Sequence, residues 1–145
     1  MPFLNEDYEP IKTIQSIYAT APSELFNIIA IDDCSDDSKI HDILAPSGEK
    51  FYRQKEFECE ISKFKDVIYV RNTERIGVDG SRQKGIDLAD TPYIFIIDAH
   101  MRFKDDKWLQ RIIDCIEREP NTAWCTTCLG LGYGTMDIDQ HKGKY

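Results

Sequence analysis

The sequence predicts an α/β fold, a mostly parallel sheet with helices on both faces. Three observations carry that prediction. Short apolar runs stand at 27–31, 66–71 and 93–97. They are too short for helices and read as strands buried on both sides. Segments with helical apolar spacing alternate with them. Two of the runs end in acids, Asp32-Asp33 and Asp98, at the strand ends where open α/β sheets bind ligands.

The elements follow in order. Residues 2–4 read as the stub of a first strand. Residues 8–20 place Ile11, Ile14, Ile17 and Tyr18 at helical spacing, and Pro22 and Ser23 break that helix. The run 27–31 is the second strand. Ser35 can cap a helix over 36–44, with acids in its first turn and Pro46 and Gly48 at its end. Residues 50–65 are mixed and charged, and a helix is expected there. The run 66–71 is the third strand, followed by a helix from about Asp79 to Ala89. Thr91-Pro92 precedes the next strand, Tyr93 to Ile97. Residues 105–118 form an amphipathic helix with Trp108, Ile112, Ile113 and Ile116 on one side and Pro120 as its stop. A fifth strand is expected at 122–129. Gly130, Gly132 and Gly134 then loosen the chain, so residues 1–145 read as one domain with a loose tail over 130–145.

Composition narrows the function. The 145 residues are 41% hydrophobic and 30% charged, enough for one domain with a core and unlike a disordered or fibrous chain. Net charge is −8, which argues against coating nucleic acid or anionic lipid. No apolar run approaches the ~20 residues of a membrane span. The first residues carry no basic and apolar leader, so the expected location is cytoplasmic. The five cysteines then read as reduced thiols. Cys125 and Cys128 have CxxC spacing, but zinc needs two further ligands, and Cys115 and His141 form no recognised pattern with them. They read as cysteines of a buried strand.

Three segments offer chemistry. Asp98-Ala99-His100 follows an apolar strand, and residues two apart there can converge on one point. A carboxylate with an imidazole suits Mn²⁺, which accepts oxygen and nitrogen ligands. Such an ion could bridge two phosphates and neutralise a leaving diphosphate. The plain alternative is a cap and a surface histidine. Asp32 and Asp33 could accept a hydrogen bond from a base or a ribose hydroxyl, or could merely cap the helix after them. Gly77 to Gly85 opens a helix, and its glycines allow a phosphate to approach while Arg82 can pair with diphosphate oxygens. An ordinary loop–helix junction is the alternative there.

In chain order these are Asn5-Glu6, Asp32-Asp33-Cys34-Ser35-Asp36-Asp37, Arg71-Asn72, Gly77-x-x-x-Ser81-Arg82-x-x-Gly85 and Asp98-Ala99-His100. The ordered set resembles the nucleotide-sugar-binding half of family 2-type glycosyltransferases with the Rossmann-like GT-A fold. Its Asp-x-His form is similar to the polypeptide N-acetylgalactosaminyltransferase branch. The resemblance spans about residues 2–118 and implies a truncated form of that fold. It implies transfer of a sugar from a nucleoside diphosphate sugar, with a UDP-sugar as the expected donor. Asp32 or Asp33 would contact the uracil or ribose, the main chain around Phe3, Leu4 and Asn5 would border the base, and Asn5 and Glu6 would belong to the donor-binding set. Arg82 would lie near the donor. Asp98 and His100 would hold Mn²⁺ (or Mg²⁺), and Asp98 would also approach the reacting sugar as the catalytic residue. The acceptor class stays open among glycan, protein, lipid and nucleic acid, and a clipped first strand would favour self-association. The alternative is a catalytically incomplete nucleotide-sugar-binding module, or a structural relative with a decayed site.

Overall fold

A computed structural model describes residues 1–6, 8–36 and 54–126. Two compact units divide the chain, Met1–Leu109 and Gln110–Tyr145. The first holds a parallel sheet of three strands in the order β1, β2, β3: Pro2–Phe3, Ile28–Asp32 and Val67–Arg71. The register pairs Phe3 with Asp32 and Asp32 with Arg71. All three strands therefore end at one level, and their following loops share one edge of the sheet.

Helix α1, Glu9–Thr20, begins with Pro10 in its first turn, where an N–H has no helical partner to lose. Its Ile11, Ile14 and Ile17 are buried and pack in one core with Phe3, Ile28, Ala30, Ile61, Ile97 and Ala99. Alternation along β2 sends Ile28 and Ala30 to that side. Ile31 lies near α3, Gly77–Leu88, where a Cβ on Gly85 would stand 3.8 Å from it. Strand β2 is thus covered on both faces, as its apolar run predicts, whereas Ile68 of β3 keeps 47% of its surface. Between β2 and β3 lies α2, Gln54–Ile61, which falls inside the helix expected over 50–65. An aromatic trio closes the far end of α1. Tyr18 meets Phe26 edge-on at 5.3 Å and Phe64 at 5.2 Å.

Two strand expectations are corrected. Tyr93–Ile97 forms no ladder with any described residue. Only Ile97 of the run is buried, at 9% exposure, while Tyr93 to Ile96 keep 40–51% of their surface. Apolar β-branched residues favour extended backbone, yet a strand also needs a neighbour with matching donors and acceptors. The two-residue β1 offers little, since Pro2 has no N–H.

The second correction lies at 122–129. Residues 122–126 are exposed and outside any strand, and Cys125 is an exposed free thiol rather than a core cysteine. Trp124 instead lies under the Arg118 guanidinium at 5.8 Å. Helix α4, Trp108–Arg118, begins in the first unit, and from Gln110 on it is most of the described part of the second, with Ile112, Ile113 and Ile116 half-buried. Residues 127–129, the helix expected over 36–44, Cys128, His141 and the tail lie outside the described residues. Among the described residues no helix is long and apolar enough to cross a membrane.

Candidate donor-binding site

The loop after β2 is built on two buried aspartates, Asp32 at 3% and Asp33 at 5% exposure. Asp32 Oδ1 accepts from the Ser35 N–H at 2.8 Å, and Oδ2 accepts from the Tyr69 hydroxyl at 2.9 Å. The Arg71 guanidinium stands 3.9 Å away. Burial and the Asp32 carboxylate both push the Tyr69 phenol up, so it stays protonated and donates.

Asp33 reaches the next loop. Its Oδ1 accepts from Asn72 Nδ2 at 2.9 Å and Ile76 N–H at 3.0 Å, and its Oδ2 accepts from Gly77 N–H at 3.0 Å. Burial raises its carboxyl, but the bonds from Ile76, Asn72, Ser81 and Gly77 outweigh that and hold it below its ordinary value. A carboxylate on the first N–H groups of α3 also meets the positive end of the helix dipole. Asp33 therefore caps α3. Gly77 makes this possible with φ of +78°, a left-handed backbone that suits glycine.

The loop after β1 docks on the same scaffold. Asn5 donates its backbone N–H to Ser35 Oγ at 2.9 Å and accepts from the Asp36 N–H at 2.8 Å. Asn5 adopts φ of +55°, a conformation asparagine tolerates better than most residues.

The Asp98-Ala99-His100 turn differs in character. Ala99 is buried, whereas the Asp98 and His100 side chains are each 55% exposed. Asp98 Oδ1 faces Arg82 Nη2 at 3.7 Å, and Arg82 Nη1 lies 3.8 Å from Asp79. Both distances exceed a hydrogen bond. Arg82 Nε is buried with no hydrogen-bond partner among the described residues. His100 Nδ1 meets Glu6 Oε2 at 3.2 Å.

The backbone beneath the turn is gripped from α1. Thr13 is fully buried, and its hydroxyl lies 2.5 Å from the Ala99 carbonyl and 2.9 Å from that of Met101. Its one proton serves one of these at a time. The same oxygen accepts from the Met101 N–H at 3.0 Å. Glu9 pairs with Arg102 at 2.5 Å, Ser16 accepts from the Phe103 N–H at 3.3 Å, and Thr20 accepts from the Trp108 indole at 3.0 Å. Positions 9, 13, 16 and 20 form one helical stripe. The sequence reading passed over this polar stripe, because the apolar residues between its members define the helix.

Asn5, Glu6, Asp32, Asp33, Arg82, Asp98 and His100 thus gather around the carboxyl ends of the strands. Direct contacts join Arg82 to Asp98 and Glu6 to His100. Asp32 and Asp33 are instead committed to the loops. Both are almost wholly buried, so a donor reaches them only through the lone pairs these bonds leave over.

Residues 1–143 match the family described as Glycosyl transferase family 2. The chain belongs to that family. The α/β sheet described above fits its GT-A fold. Among its relatives, polypeptide N-acetylgalactosaminyltransferase 4 of Caenorhabditis elegans is 26% identical over 114 residues, covering 78% of this chain and 16% of the relative. Polypeptide N-acetylgalactosaminyltransferase 14 of Homo sapiens is 28% identical over 116 residues, covering 79% of this chain and 18% of the relative. The chain therefore spans less than a fifth of the length of these family members.

Proposed function

We propose that this chain binds a nucleoside diphosphate sugar at the carboxyl ends of β1 to β3 and takes part in transferring its sugar. The observation that carries this reading is the exposed Asp98–His100 turn beside an incompletely satisfied Arg82, on a scaffold of the glycosyltransferase family 2.

A divalent metal suits the donor set. Asp98 offers a hard oxygen and His100 a borderline nitrogen, a pair that Mn²⁺ accepts. Among the described residues no group of three or more such side chains could hold an ion alone. That matches ions of the Mg²⁺ type, which take one or two protein ligands and complete their shell with substrate phosphates and water. Asp98 and His100 would hold the ion, and when bound it supplies positive charge opposite the diphosphate.

Arg82 has the complementary task. Its guanidinium carries five N–H donors, and its ion pairs with Asp79 and Asp98 are long. Diphosphate oxygens entering here gain charge-assisted hydrogen bonds at little cost to existing ones. As the bond from the sugar to the diphosphate breaks, its electron pair leaves with the diphosphate, where negative charge grows, while an acceptor hydroxyl bonds to the same carbon and gives up its proton to the departing diphosphate or to water. Arg82 is placed to meet that charge. Asn5 and Glu6 border the entry, and either Asp32 or Asp33 would reach the base or ribose.

The test is a thermal-shift panel of UDP, GDP, CDP and dTDP, each with and without Mn²⁺. A ligand at a hundred times its Kd stabilises the folded state by about 2.7 kcal/mol. The expected result is a rise with one diphosphate, UDP first, that requires Mn²⁺. The relatives' names supply the first transfer to assay, N-acetylgalactosamine onto a polypeptide. Binding without transfer would favour a donor-binding module. No rise with any pair would sink the reading.

A further inference from the structure

We propose that Glu6 is a positioning residue for His100, fixing which ring nitrogen carries the proton. A carboxylate only accepts hydrogen bonds, so the ring nitrogen facing it must be the one that bears hydrogen. Glu6 Oε2 lies 3.2 Å from Nδ1. In the neutral ring the proton therefore sits on Nδ1, and Nε2 keeps its lone pair. A neutral imidazole has one such nitrogen, and a metal takes that one. A carboxylate on the other ring nitrogen also makes the ring a better ligand.

The arrangement is held on both sides. Glu6 follows Asn5, whose backbone N–H is held by Ser35 and whose side-chain oxygen is held by the Asp36 N–H. The backbone flanking His100 is pinned by Thr13, which bonds the Ala99 carbonyl before it and the Met101 N–H after it. With both attachment points set by buried or half-buried groups, the Glu6 contact restrains what is left, the two side-chain torsions that aim the imidazole. His100 is 55% exposed and Glu6 32%, so the pair adds little to stability. Its consequence is the tautomer. The role given to Nε2 rests on the donor site proposed above; the Glu6–His100 contact does not.

The experiment reads the tautomer directly. The protein contains three histidines, and ¹⁵N labelling of their rings, with His100→Gln to assign the signal, reports which nitrogen of neutral His100 is protonated. Wild type is expected to show Nδ1–H without any metal. Glu6→Ala is expected to move the population towards Nε2–H, while Glu6→Gln, whose amide oxygen still accepts, stays closer to wild type. In a UDP titration with Mn²⁺ present, Glu6→Ala is expected to weaken binding about tenfold, and Glu6→Gln less. An Nε2–H wild type, or a tautomer indifferent to Glu6→Ala, overturns the proposal. A tautomer that follows Glu6, in a protein that binds no UDP with Mn²⁺, overturns the metal-facing role alone and places the failure in the donor-site reading.

Discussion

Two acids that end apolar runs look alike in the sequence and do opposite things in the molecule. Asp33 follows β2, is buried, and spends its oxygens on Asn72 and the first N–H groups of α3. Asp98 follows an apolar run of the same kind, lies half in solvent, and has a guanidinium 3.7 Å away. A buried carboxylate persists only where hydrogen bonds replace its water. An exposed one keeps its lone pairs available. The first acid holds two loops together, and the second is free to meet a ligand.

The sharpest way to break the comparison is Asp33→Ala. It leaves the Ile76 and Gly77 N–H groups and the Asn72 amide without their acceptor, an expected loss of about 3 kcal/mol in urea unfolding. The pH dependence has a definite sign. The folded carboxyl is held below its ordinary 3.8. Its contribution is therefore complete above that value and fades as pH falls through the lower, folded value. The deficit of the variant should shrink below pH 3.8 and stay constant above it. A deficit that persists in acid would mean that shape, not charge, makes the contact.

Thr13→Val comes next, at about 2 kcal/mol, because it strips partners from the Ala99 carbonyl and the Met101 N–H in a buried site. Thr13→Ser keeps the hydroxyl and should cost under about 1 kcal/mol, roughly one buried methyl group. Equal losses from the two variants would assign the effect to packing. Gly77→Ala follows, at about 1–2 kcal/mol. A Cβ there meets nothing within 4 Å, so the cost is the left-handed backbone itself, and thermal unfolding would measure it.

These effects also mark what the sequence could reveal. Apolar spacing located α1 because Ile11, Ile14 and Ile17 face one core, and a continuous apolar run located β2 because both of its faces are covered. Local burial leaves a local pattern. The run 93–97 has the same composition without a ladder, since pairing depends on a partner far along the chain. Asp33 was read against the helix next to it in sequence, yet it caps α3 through Gly77, 44 residues on. Thr13 reaches Ala99 across 86 residues. The ordered motifs showed which side chains gather at the strand ends. Which of them carry loops and which stay open depended on these distant bonds.

The smallest effect on stability is the one that most sharpens the comparison. Asp98→Ala removes an exposed side chain whose contact with Arg82 is longer than a hydrogen bond, so unfolding should change by no more than about 0.5 kcal/mol. The same change should abolish the Mn²⁺-dependent rise in Tm with UDP. It removes one of the two side chains proposed to hold the ion and leaves Arg82 without its nearest carboxylate on that side. Asp33→Ala should show the reverse order, a large loss of stability whether or not ligand is present. If Asp98→Ala instead costs as much stability as Asp33→Ala, the two acids are both structural, and the donor site must be sought elsewhere on the sheet edge. If it costs nothing and the UDP response survives, Asp98 is a surface carboxylate, and the contrast between the two strand ends is one of burial alone.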